Sequence, residues 1–399
     1  MHKSLTIIVA CGLFVCADAA MAADTLDSTT ALVKRLDLEK YKATIKGLTA
    51  FGDRRQGTQR NRAAVDWIEA QLKSYGCVTE RLKYEYTTPP PPPRPPRIEV
   101  AIPALGNEPA RTLGGGRAFG NRNPTSVNGD PMKQPDVRLR TLNTPPAVPG
   151  SRELVYCTKV GTTHPEEAYV IGAHMDGHGY GEAANDDGSG TALVMELARI
   201  LNSPDVTTER SIRFALWNNE ETGHQGAQAY VAQRGPLQGK ETPPGSKKYP
   251  EPKWLGMIQH DMMLFDHGAP RADGTLSPEQ RPEADINIEF QGNSKMAEGS
   301  LSLAWAVQRA NERYATDYPA FIGSHMTNTD SADFQDSVPS ISLRENERGT
   351  HIGSGWDPHW HQPTDVFATF SDKDFRLGLN AAQTTLGFVA EAAGARLKP

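Results

Sequence analysis

The sequence predicts an α/β fold: a mixed, mainly parallel central sheet with helices on both faces, interrupted by Pro- and Gly-rich loop insertions. Three observations predict it. Short apolar runs at 168–173 and 211–217 read as buried strands. Between them, an amphipathic run over 188–202 sets Leu193, Leu197, Ile200 and Leu201 on one face, the mark of a packed helix. Ionisable residues gather where the apolar runs end, and ligands bind at the carboxyl ends of strands in open α/β sheets. There is no internal repeat and no second core pattern, so 23–399 reads as a single domain.

At the start, Lys3, the apolar core from Leu5 to Val15 and the small-x-small pattern Ala20-Met21-Ala22 predict an export signal over 1–22. The apolar run is too short to span a bilayer, and bulky Val15 argues against lipoprotein processing at Cys16. The mature chain is expected to be secreted or periplasmic. Of the four cysteines, Cys77 and Cys157 would remain, both in strand-like segments. An oxidising compartment favours a disulfide between them, with two buried free thiols as the other reading.

Leu32, Leu36, Ile45 and Leu48 predict a helix across 29–52, and Val65, Ile68 and Leu72 a second one stopped by Gly76. A strand follows at 77–86. The proline run at 89–96 then opens an insertion to about 150, rich in Gly, Pro and Asn, which reads as a surface excursion or a substrate-facing lid. Regular structure resumes with strands at 153–159, 168–173 and 211–217 around the helix at 188–202. Beyond the Pro-rich insertions at 235–252 and 269–283, a strand near 254–260, a helix at 297–315, a strand at 338–343 and a helix at 371–395 complete the pattern. Ser371 and Asp374 give the last helix a capping box.

Composition is that of an ordinary globular protein, 38% apolar and 23% charged. A net charge of −6, unchanged when the signal is removed, offers no footprint for nucleic acid or an anionic membrane.

The candidate chemistry lies in four places. His174 and Asp176 end the 168–173 run and precede Asn185-Asp186-Asp187-Gly188-Ser189-Gly190. Glu220-Glu221 follows the 211–217 strand. Asp261 is embedded among apolar residues, and His361 sits in a loop with Asp365. Adjacent acids are commonly just solvated, and a lone loop histidine says little. A carboxylate among apolar residues is less easily explained, because burying one is costly unless it is paired or bound to metal.

Taken together, His174-x-Asp176, Asn185-Asp186-Asp187-Gly188-Ser189-Gly190, Glu220-Glu221-x-Gly223, Asp261-Met262 and His361-x-x-x-Asp365 resemble peptidase family M28, the co-catalytic dizinc exopeptidases. The flanks Ile171-Gly172-Ala173 and Arg213-Phe214-Ala215-Leu216-Trp217 extend the resemblance, which covers about 150–399. It implies two Zn2+ per chain, one held by His174, Asp186 and Asp261, the other by Asp186, Glu221 and His361. It implies Glu220 as general base and Asp176 as the residue orienting His174. Zinc takes imidazole and carboxylate ligands, and two ions need a shared carboxylate. Two features depart from the family. Thr329-Asp330-Ser331 stands where Ser-Asp-His is frequent, leaving Asp330 to brace a ligand. Trp360 replaces a tyrosine, so an indole N–H or a zinc alone would stabilise the oxyanion. His178, His224, His260, His325 and His359 are expected to pack, line the rim or support ligands. The resemblance implies an aminopeptidase acting on peptides, with a glutaminyl cyclase, a carboxypeptidase or a dipeptidase on the same scaffold as alternatives.

Overall fold

The computed structural model describes residues 28–86, 100–101, 112–113, 127–268, 277–280, 284–315, 317–324, 328–345 and 357–398. The export signal, the 89–96 proline run, most of the 269–283 insertion and His325 lie outside the described residues.

Strands β1 (Thr79–Tyr86), β2 (Gly150–Lys159), β3 (His164–His174), β4 (Arg210–Trp217), β5 (Lys253–His260), β6 (Ile286–Glu289), β7 (Ala320–Gly323) and β8 (Ser340–Arg344) form an eight-stranded sheet. Their order is β1-β2-β4-β3-β5-β8-β6-β7. The central four, β4, β3, β5 and β8, run parallel. Antiparallel pairs β1–β2, β2–β4 and β6–β8 flank them. In the sheet's register His174 lies beside Trp217, Ala173 beside His260, and His260 beside Leu343. All four central strands therefore end in one row, and whatever follows them shares one edge.

Helices α1 (Leu38–Thr49), α2 (Gln59–Ser74), α3 (Val137–Asn143), α4 (Gly188–Leu201), α5 (Gln225–Arg234), α6 (Ala297–Tyr314) and α7 (Asp372–Ala392) pack around this sheet. Helix α4 lies against β3 and β4 and carries α1 and α7 on its outer side, so nearly all its residues are buried. Arg213, Ala215 and Trp217 project from β4 toward α5, leaving Ile212, Phe214 and Leu216 for the opposite face. Arg213 is buried by pairing with Glu251 and donating to Tyr230 Oη at 2.6 Å. A charged residue in a central strand thus meets its burial cost through a partner.

Several boundaries differ from expectation. The helix expected over 29–52 breaks at Asp37, whose side chain accepts from Lys40 N–H at 2.9 Å and caps α1. Pro339 precedes β8, which starts at Ser340. Gly394, at φ 64°, follows the end of α7. A disulfide joins Cys77 to Cys157, with Cα atoms 5.8 Å apart, and ties the entry of β1 to β2.

The end of the long insertion is anchored rather than loose. Asn128, Gln134 and Asn143 are buried. Gln134 Nε2 donates to the carbonyls of Tyr180 (2.8 Å) and Pro363 (2.9 Å), and Asn143 Nδ2 donates to that of Gly181 (2.7 Å). This segment straps together the loop after β3 and the loop that carries His361.

Candidate functional site

At the carboxyl edge of the sheet, β3 ends in His174, β4 leads into Glu220 and Glu221, β5 leads into Asp261, and β8 ends in Arg344. Asp186 and Asp187 stand at the start of α4, joined by a cis peptide. Asp187 caps α4 by accepting from Gly190 N–H (2.9 Å) and also accepts from His174 N–H (3.1 Å). Asp365 accepts the N–H groups of Asn185 (2.8 Å) and Asp186 (3.2 Å). These bonds aim the Asp186 carboxylate into a cavity of about 430 Å3 walled by Val127, Met262, Arg344 and Trp360, among others.

Inside the cavity Asp186 faces two ways. Its Oδ1 lies 3.2 Å from His174 Nε2, and its Oδ2 lies 2.9 Å from His361 Nε2. On the first side Asp261 Oδ1 is 3.7 Å from His174 Nε2; on the second, Glu221 Oε2 is 3.0 Å from His361 Nε2. Ligand atoms converge in two groups, His174 with Asp186 and Asp261, and His178 with Glu221 and His361. All five residues expected as metal ligands are therefore brought together, with one carboxylate between two imidazoles.

Electrostatics fit cations. Despite burial, Glu221 and Asp186 hold the His361 imidazole up at about 10. Burial acts against ionisation of Glu221 too, yet His178 and His361 hold that carboxyl down at about 2. Glu221 Oε1 and His361 Nδ1 are buried without a hydrogen-bond partner. In such a site divalent ions can take the place that protons otherwise fill.

Glu220 stands apart from both groups. Its Oε2 is 4.0 Å from His174 Nε2, and its Oε1 is 3.4 Å from His224 Nε2. Burial, then the charges of Glu221, Asp261 and Asp330, push its carboxyl well above the usual range, with His174 opposing. Asp176 adjoins His174 as expected, its Oδ1 3.9 Å from His174 Nδ1, but the ring's hydrogen bond is to its backbone. His174 Nδ1 meets the backbone carbonyl of Asp176 at 3.0 Å, whereas the Asp176 carboxylate accepts Glu220 N–H at 3.1 Å. The chain turns immediately after β3, which brings the Asp176 carbonyl back to the ring. Asp330, expected to brace a ligand, instead accepts from Gln259 Nε2 at 3.0 Å, and burial pushes it up to about 7.

Two residues were not anticipated. Arg344 is buried and pairs with Asp261, setting a cation behind that carboxylate. Arg54, also buried, donates to the carbonyls of Met175 (2.8 Å), Glu182 (2.8 Å) and Ala183 (2.7 Å) and so fixes the whole loop after β3. Neither has a local sequence signal, because both act across more than 80 residues of chain.

Among the other histidines, His359 packs as expected beside Phe265, His267 and Phe370. His224 lines the cavity rim. His260 is buried, with Nδ1 against the Gly172 carbonyl (3.1 Å) and Nε2 against Thr385 Oγ1 (2.8 Å), and burial pushes it down to about 4. An unfolded chain takes up that proton near pH 6.5, so between 6.5 and 4 the unfolded state binds more protons. Stability from this group is full above that window and falls by about 3 kcal/mol as pH drops through it. Denaturant unfolding of metal-free His260→Gln is expected to lose less stability between pH 6.5 and 4 than metal-free wild type; equal losses would clear His260 of the titration.

The model of peptidase family M28 matches residues 154–377, more than half of the chain. Aminopeptidase YwaD of Bacillus subtilis is 43% identical over 68 residues, which span 17% of this chain and 14% of that relative. Among solved structures, an aminopeptidase from Aneurinibacillus sp. strain AM-1 aligns with a TM-score of 0.56 at 18% identity, covering 92% of this chain and 96% of that one. A glutaminyl cyclase from Porphyromonas gingivalis aligns with a TM-score of 0.54 at 16% identity, covering 90% and 99%. With its parallel strands delivering the two donor groups to one sheet edge, the chain belongs to peptidase family M28.

Proposed function

We propose that this chain is an exported zinc metallo-exopeptidase, an aminopeptidase that removes N-terminal residues from peptides. The observation that carries the reading is Asp186, which presents one carboxylate oxygen to each of two histidine-bearing donor groups. One zinc fits His174, Asp186 and Asp261; the other fits Asp186, Glu221 and His361. Bound there, the pair would supply Lewis-acid polarisation of the scissile carbonyl and acidify the attacking water.

The chain's own residues do the rest. Glu220, buried and raised in pKa, takes the proton from the attacking water and returns it to the leaving amine. Asp176 holds Glu220 in place through its backbone N–H. Arg344 keeps Asp261 ionised against its burial. Val127, Met262 and Trp360 give the cavity apolar wall for a substrate side chain. Export is supported by the Cys77–Cys157 disulfide. Preference for the amino terminus is supported by the similarity to a relative named as an aminopeptidase.

The cyclase reading draws on the cyclase structure of similar fold. Cyclisation of an N-terminal glutamine needs no attacking water, so two donor groups with a separate buried base favour hydrolysis. An assay of purified mature protein on free and N-blocked peptides, with metal counted in the same sample, tests the choice. Cleavage confined to free-amino peptides, with about two zinc ions per chain, is the expected result. Release from the carboxyl terminus would overturn the aminopeptidase assignment. Ammonia release from N-terminal glutamine without cleavage would establish the cyclase instead.

A further inference from the structure

His178 was expected to pack, line the rim or support a ligand, but its surroundings are those of a ligand itself. It lies in the loop after β3, between Gly177 and Gly179. A Cβ at Gly177 would meet Ala183 Cβ at 2.5 Å, and one at Gly179, where φ is +95°, would meet the His361 carbonyl oxygen at 2.4 Å. Glycine is required at Gly179 on both counts. The loop is thereby pressed against the backbone of His361. Asn128 clamps the two together, donating its N–H to the His361 carbonyl (3.0 Å) and its Nδ2 to that of Gly179 (3.3 Å).

The result is two imidazoles set nearly perpendicular, at 87°, with ring centroids 4.0 Å apart. His178 Nε2 lies 2.9 Å from Glu221 Oε2, the same oxygen that His361 Nε2 approaches to 3.0 Å. Yet His178 Nε2, a buried atom, is poorly aligned to donate to that oxygen. A nitrogen so close to a carboxylate oxygen but not aligned to donate to it is placed as two ligands of one ion are placed, both aimed at a common point.

We propose that His178 is a fourth protein ligand of the metal held by Asp186, Glu221 and His361. This rests on the two-metal reading above and extends it, because it makes the two positions unequal. Four protein donors close a zinc site, whereas three leave a position free for water or substrate. The ion at His174, Asp186 and Asp261 then keeps the open position and exchanges readily, while the ion beside His178 is the tightly held one.

The test is a Zn2+ titration of metal-free protein against a competing chromophoric chelator, repeated with Co2+ to read the visible spectrum of each equivalent. Wild type is expected to show a tight and a weaker site. His178→Ala is expected to weaken the tight site by more than about 100-fold, beyond what loss of an outer supporting partner costs, leave the weaker one within a few-fold, and alter the Co2+ spectrum of the first equivalent. His178→Gln, which keeps a polar side chain of similar length, is the second variant, and thermal unfolding of both metal-free variants reports whether they fold. Unchanged affinities and an unchanged first-equivalent spectrum in a folded variant overturn the proposal, as does equal weakening of both sites. If wild type holds a single ion, the two-metal reading fails separately. His178 is then supported if that ion weakens on substitution and rejected if it does not.

Discussion

Replacing Glu220 with Gln is expected to lower kcat by about 10²–10⁴-fold while leaving KM and metal content close to wild type. The split follows from where Glu220 stands. Its carboxylate belongs to neither convergent donor group, and its nearest imidazole contact outside them is His224, at 3.4 Å. Gln keeps the shape of the side chain and the backbone N–H that the Asp176 carboxylate accepts. What it loses is the ability to hold and release a proton. In the metal-free site, burial and three neighbouring acids raise the Glu220 pKa against the pull of His174, and a carboxyl that readily takes up a proton suits a base. Single-turnover kinetics and metal analysis on one preparation read both quantities. Full activity in Glu220→Gln would remove the base assignment, and loss of metal would make Glu220 a ligand.

Asp186→Asn is expected to act on metal first and on rate as a consequence. Asp186 serves His174 with one oxygen and His361 with the other. Asn offers one carbonyl oxygen and one NH2 group, and an amide nitrogen that carries its protons does not ligate zinc. The variant is therefore expected to retain one ion or fewer after gel filtration. Its affinity for the second should fall more than about 100-fold, beyond what loss of an outer supporting partner costs. Turnover at wild-type metal levels should fall with it. Because Asp365 holds this segment through backbone N–H groups, the local fold survives the change. Two ions retained at wild-type affinity would show that Asp186 is not shared.

Four of the ligands were legible in the sequence because each borders a structure that reads clearly, whereas His361, in a loop, was found through the family resemblance alone. His174, Glu221 and Asp261 come at the ends of apolar strands, and Asp186 opens a strongly amphipathic helix. Strands β6 and β7 and helix α3 were not legible. They are only four to seven residues long, too short for a period to show, so their place is decided by β6 pairing with β8, β7 pairing with β6, and α3 docking on loops. The parts of Asp176 and His178 were hidden for another reason. Residue type showed that both could serve metal chemistry, but which atom faces which partner is set by the turn after β3 and by Gly177 and Gly179. Arg54 and Arg344 lie far in sequence from what they hold, and no local pattern marks a long-range guanidinium.

Arg54 also bears on where this protein can be cut. The family match begins at 154, yet the loop after β3 draws its hydrogen bonds from Arg54, which lies well ahead of that start. Tyr41 reaches from α1 to the Ser189 carbonyl, at the first turn of α4, in the same way. A fragment trimmed to the recognisable region would take the Arg54 donor from the carbonyls of Met175 and Glu182 and leave that of Ala183 with Gly188 N–H alone; each carbonyl left buried without a donor costs about 1–3 kcal/mol. The stretch that identifies the family is thus shorter than the stretch whose hydrogen bonds hold its chemistry in place.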